Sequence, residues 1–89
     1  MLEFSIRIQN NKGMHARASA KFVETVESFN ANCEIQKDGM KVSGDSIMGI
    51  LMLAASKGSV IKVTAWGDDS QLLVKALKLL INNKFDEES

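Results

Sequence analysis

The sequence predicts an α+β fold, an open-faced sandwich in which a four-stranded antiparallel sheet carries three helices on one face in the ferredoxin-like order β-α-β-β-α-β-α. Three observations lead there. Four stretches alternate apolar and polar residues with the period of a half-buried strand. The stretches between and after them repeat their apolar residues at three and four, as amphipathic helices do. Glycine and asparagine turns join the segments, with no proline anywhere and no serine-rich linker. Because every strand has one polar face, the helices must share the other side and leave one side of the sheet wet.

The elements follow in order. Leu2, Phe4, Ile6 and Ile8 alternate with Glu3, Ser5, Arg7 and Gln9 in the first strand, which "NNKG" ends. Phe22, Val23, Val26 and Phe29 predict a helix from about Ala16 to Ser28, with Lys21, Glu24 and Glu27 on its polar side. Cys33 and Ile35, a "KDG" turn, and Met40 and Val42 read as a β-hairpin. Ser46 stands at a helix-start position, Gly49 argues for a short helix from Ile47, and Gly58 stops the segment. "VIKVTAW" is a fourth strand with Ile61, Val63 and Ala65 on one face. Leu73, Ala76, Leu77, Leu80 and Ile81 give a closing helix, and "NNKFDEES" reads as a frayed tail.

Eighty-nine residues suit one domain over 1–89, burying about 60 to 65% of the surface of the unfolded chain, too small for a deep enzyme cleft. The composition, 45% hydrophobic and 25% charged, is that of a globular domain. Eleven basic and eleven acidic residues cancel, so no overall field draws the chain to nucleic acid or anionic lipid. Cys33 is the only cysteine, which excludes an internal disulfide and a multi-thiolate metal site and fits a reducing compartment. The opening "MLEFSIRIQ" lacks the form of a signal peptide, and no apolar run approaches the roughly 20 residues that span a bilayer. A cytoplasmic monomer is expected.

The only histidine lies in "GMHARASAKFV", between a glycine turn and the start of a helix. A helix beginning at Ala16 puts His15 at its N-cap, beside the backbone N–H groups of Ala16, Arg17 and Ala18, which have no intrahelical acceptor. Histidine is a mediocre cap beside Ser, Thr, Asp or Asn, so helix stability alone does not account for it. A helix N-terminus disfavours imidazolium and leaves the ring nucleophilic; once the ring carries a phosphoryl group, the same end favours the new negative charge. Arg17 adds a permanently charged donor fork. The pattern points to a phosphoryl-accepting pair, and against it stands the ordinary reading of a lone surface histidine. A metal site finds no second ligand, and Cys33, as a small hydrophobe in an alternating strand, points to the core rather than to His15.

"GMHARASA" resembles the active-site loop of the histidine-containing phosphocarrier proteins (HPr) of the bacterial phosphoenolpyruvate-dependent phosphotransferase system. "SIMGILMLAASKG", from Ser46 to Gly58, resembles the family's second signature at the family's spacing. The resemblance implies that His15 accepts a phosphoryl group on Nδ1 from phosphorylated enzyme I and passes it to a IIA protein or domain, with Arg17 as the assisting arginine. It implies no cofactor. In members regulated on serine, an HPr kinase/phosphorylase modifies the residue matching Ser46, which is equally explained as an N-cap. Many members have proline where this chain has Ala18; alanine suits a first turn and restores an N–H, which is expected to add a donor to the phosphoryl site. Met48, Leu51 and Met52 are the candidate apolar docking surface for partners, against the plainer reading that such a stripe is core. The ending "NNKFDEE" resembles the nitrogen-related branch of the same system.

Two rivals belong to other classes. A nucleic-acid module would want aromatic and basic residues on the open sheet face, where Trp66 stands amid Glu3, Glu34 and Lys62. A non-catalytic regulator could keep the fold and act by binding alone; His15 and Arg17 together argue against it.

Overall fold

The alternation of β1 (Leu2–Arg7), β2 (Asn32–Lys37), β3 (Met40–Ser43) and β4 (Val60–Trp66) resolves, in a computed structural model describing residues 1–89, into one antiparallel sheet of order β1-β4-β2-β3. The register sorts residues by polarity. Phe4, Val63, Ile35 and Val42 form one cross-strand row on the helix side. The next row, Glu3, Thr64, Glu34 and Ser43, faces the other way and is polar throughout. A slip of one residue would exchange the two faces, so burial fixes the register.

Three helices cover the apolar face: α1 (Ala16–Glu27), α2 (Ile47–Met52) and α3 (Ser70–Asn82). From α1 come Ala18, Phe22, Val23 and Val26, from α2 Ile50, and from α3 Leu73, Leu77 and Ile81, all packed with Cys33, Ile35, Ile61, Val63 and Ala65 of the sheet. Each large aliphatic side chain withdrawn from water in this way contributes about 1.5 to 3 kcal/mol. Cys33 is fully buried, and a Cβ placed on Gly44 would stand 2.2 Å from its Sγ, so the chain leaves β3 only because that position has no side chain. Burial, with a smaller contribution from the Asp45 charge, pushes the Cys33 thiol up to about 12.

The expected open-faced sandwich is thus observed, with α1 ending one residue before the predicted boundary. The tail corrects the expectation of fraying. A single 3-10 turn, Lys84–Asp86, reverses the chain after α3, with Lys84, Phe85 and Asp86 all at positive φ. That uncommon backbone is held because Phe85 is fully buried and Lys21 Nζ donates a 2.8 Å hydrogen bond to its carbonyl. A lone phenylalanine beyond the last helical repeat has no periodicity to announce its burial. Phe85→Ala should cost about 3 kcal/mol in urea unfolding, the lower end for deletion of a buried aromatic side chain, and should free the residues after it.

Candidate functional site

The backbone from Ile8 to Met14 carries the candidate site, and its shape comes from a seam with the segment after α2. Ile8 N–H donates to Ser59 O, Gly58 N–H to Ile8 O and Met14 N–H to Ala55 O, each at 2.8 Å. Gly13 lies against that seam at φ +63°, where a Cβ would meet Ala55 O at 2.5 Å and Ser56 Cα at 2.8 Å. Only glycine allows both the left-handed backbone and the close approach. Asn10 is fully buried within the loop and donates from Nδ2 to Gly13 O at 2.8 Å. Ser19, also buried, donates from Oγ to Met14 O at 3.1 Å. The residue before His15 is therefore fixed from both sides.

His15 is the N-cap of α1, in extended backbone conformation, and its carbonyl accepts from Ser19 N–H at 2.8 Å as the first intrahelical bond. Its side chain makes no capping hydrogen bond. Instead Nε2 pairs with Glu87 Oε2 from the tail, while Nδ1 makes no hydrogen bond. Glu87 Oε1 accepts from the second proton of Asn10 Nδ2 at 2.9 Å. Burial works against ionisation of Glu87, but the hydrogen bonds from Asn10 and His15 and the charges of His15 and Lys12 together outweigh it and hold the carboxyl below its usual range.

Ala16 and Arg17 are exposed at the helix end, whereas Ala18 is fully buried. Ala18, whose N–H the sequence places in the first turn, packs into the core beside Phe22 and Val23 of the same helix. The Arg17 guanidinium makes no hydrogen bond or ion pair and lines an open polar groove with Asn11, Lys12, Lys21, Asp86, Glu87 and Glu88. The groove joins residues from the first loop, α1 and the tail. No three of the chain's His, Cys, Asp and Glu side chains converge in a way that could hold a metal ion.

Ser46 is the N-cap of α2, its Oγ accepting from Gly49 N–H at 3.0 Å. Met48 and Met52 are 70% and 67% exposed; Leu51 is half-buried, and Ile50 is the residue of this helix that enters the core. Ile47, not singled out by the sequence, is 40% exposed and extends the apolar patch. On the opposite sheet face Trp66 stands beside Glu3, Glu34, Gln36, Lys41 and Lys62. No helix is long and apolar enough to cross a membrane. Sequence reasoning passed over Glu87, which pairs with His15, and Asn10, which holds Glu87 in place; the first reads as a solvated tail acid and the second as a turn residue.

Comparison with known proteins bears on this arrangement. The family model described as "PTS HPr component phosphorylation site" matches residues 2–83. The phosphocarrier protein HPr of Xylella fastidiosa is 42% identical over 89 residues, all of both chains. The crystal structure of HPr-C-His from Thermoanaerobacter tengcongensis superposes with a TM-score of 0.95 at 46% identity and full coverage of both chains. The HPr-like protein Crh of Halalkalibacterium halodurans is 36% identical over 84 residues, 94% of this chain and 100% of that one. Related chains have been solved as dimers. A match of this extent, in fold and in sequence, means that the chain belongs to the HPr family of phosphocarrier proteins of the phosphotransferase system, which carry phosphoryl groups and are not enzymes.

Proposed function

We propose that His15 is the phosphoryl acceptor, taking the group on Nδ1 from phosphorylated enzyme I and passing it to a IIA protein or domain. The observation that carries this reading is the setting of His15: an unengaged Nδ1 at the N-terminus of a 12-residue helix, with the exposed Ala16 and Arg17 next in the chain and an unpaired Arg17 guanidinium. In-line transfer between two nitrogen atoms needs positioning and neutralised charge, not a metal or a deep pocket. The amides of Ala16 and Arg17 and the helix dipole favour the incoming charge, and the guanidinium supplies a fork for phosphoryl oxygens. A relay also requires that this grip be modest, so that the group moves on.

Met48 and Met52, with the half-buried Leu51 and the exposed Ile47, are the surface on which enzyme I and the IIA partner dock; flexible thioethers suit more than one partner. Ser46 is the site for an HPr kinase/phosphorylase. Two further negative charges there would favour the helix start but oppose an acidic partner beside the apolar patch. The chain acts as one domain, 1–89, a cytoplasmic monomer in sugar transport or nitrogen regulation, the branch being set by which IIA protein accepts the group. A non-catalytic regulator is the second reading, favoured by the similarity to an HPr-like protein and opposed by His15 and Arg17 together.

Incubation with phosphoenolpyruvate and enzyme I should place acid-labile, alkali-stable phosphate on the wild type and none on His15→Ala. Absence of label on both, with a control carrier active, selects the regulator. Met48→Asp should fold normally and raise the KM for phosphoryl transfer about tenfold, the size of a contact at the centre of an interface.

A further inference from the structure

The pairing of His15 with the tail has a chemical direction. An ionised carboxylate only accepts hydrogen bonds, so the hydrogen between Glu87 Oε2 and His15 is the one on Nε2. A neutral imidazole carries one N–H, and the hydrogen bond made by one ring nitrogen decides the state of the other. With Nε2 protonated, Nδ1 holds the lone pair. Glu87 is itself fixed: Asn10 donates to its other oxygen, and Phe85 is buried two residues earlier with its carbonyl held by Lys21. Asp86, exposed, lies 3.7 Å from the Lys21 ammonium.

We propose that Glu87 is a positioning residue for phosphoryl transfer, holding the His15 proton on Nε2 so that Nδ1 is presented as the nucleophile. This rests on the reading of His15 as the phosphoryl acceptor. In the step itself the Nδ1 lone pair forms the new N–P bond as the bond between phosphorus and the donor's nitrogen breaks, its electron pair remaining on that nitrogen. Nε2 keeps its proton, so the ring gains a formal positive charge, and that charge faces Glu87. On delivery the N–P electron pair returns to Nδ1 and the ring is neutral again, with its proton where it began. The carboxylate therefore interacts more favourably with the phosphorylated ring than with the free one, acting through Nε2 and not through the nitrogen that bonds phosphorus.

The same carboxylate makes tail docking depend on pH. The folded chain holds Glu87 below its usual range, with His15, Lys12, Arg17 and Lys21 as the positive groups around it and Asp86 and Glu88 as the negative ones. The stability it contributes is present above the ordinary carboxylate range and is lost as pH falls through the lowered value in the folded state. Urea unfolding should show an acid-side loss in wild type that is smaller in Glu87→Gln.

The decisive experiment reads the ring and the transfer separately, in the full chain. Nitrogen-15 NMR of His15, at a pH where the ring is neutral, should show an Nε2 proton in slow exchange in wild type and in Glu88→Gln. Glu87→Gln, which keeps an accepting oxygen, should retain that proton; Glu87→Ala should lose its protection and populate the other tautomer. Single-turnover phosphoryl acceptance should fall about tenfold in Glu87→Ala, the low end of what loss of a histidine's orienting partner causes at metal sites, and less in Glu87→Gln. Thermal unfolding reports whether each variant is folded under these conditions. An Nε2 signal in Glu87→Ala identical to wild type overturns the proposal, whatever happens to the rate. So does an unchanged rate in a variant whose ring signal has changed. A wild type that takes no label on His15 defeats the acceptor reading instead, a result distinct from either because the NMR measurement needs no transfer.

Discussion

The two protons of one buried amide join the parts of this molecule that sequence keeps furthest apart. Asn10 gives one proton to the carbonyl of Gly13, three residues away, and the other to the carboxylate of Glu87, 77 residues away. The first bond shapes the loop that ends at His15, and the second seats the tail against the imidazole. Burying an amide is unfavourable unless its hydrogen bonds are made, so the loop and the tail each satisfy part of the cost of the same side chain. Asn10 Oδ1 has no partner in the fold, which leaves the whole of its pairing to those two donated bonds.

Around that bond the electrostatics are local. The chain is neutral overall, yet Lys12, Arg17 and Lys21 share one groove with Asp86, Glu87 and Glu88. The acids of the tail offset basic residues that would otherwise stand together at the start of α1. Arg17 stays out of these pairings, with its guanidinium free of protein acceptors, while Lys21 is taken up by the Phe85 carbonyl and Asp86. Two basic side chains one turn apart thus have different occupations: one holds the fold together and the other is available to an incoming anion.

What was legible in the sequence was whatever repeats. Strand alternation placed Ile61, Val63 and Ala65 inward, and the three-four spacing gave α1 and the Leu73, Leu77, Ile81 face of α3. The cap at His15 was legible from the glycine turn and the onset of helical periodicity. What escaped was set by single long-range contacts. Phe85 follows three polar residues and packs through a backbone conformation that no glycine announces. Glu87 sits in a run of acids that reads as solvated, and only the folded chain shows that one of them faces inward to Asn10. The exposure of Ala18 could not be judged either, because first-turn position fixes whether an amide has a helical acceptor but not whether neighbouring elements cover it.

The contact between Gly44 and Cys33 has a consequence of another kind. Thiol chemistry proceeds through the thiolate, and a buried thiol pushed up to about 12 supplies almost none at neutral pH. The sole sulfhydryl of this chain is therefore silent while the sheet is intact, and it becomes ordinary once the turn after β3 lifts and water enters. Alkylation of Cys33 by a small reagent counts such openings, so the fold carries its own internal clock for breathing motions of the hairpin.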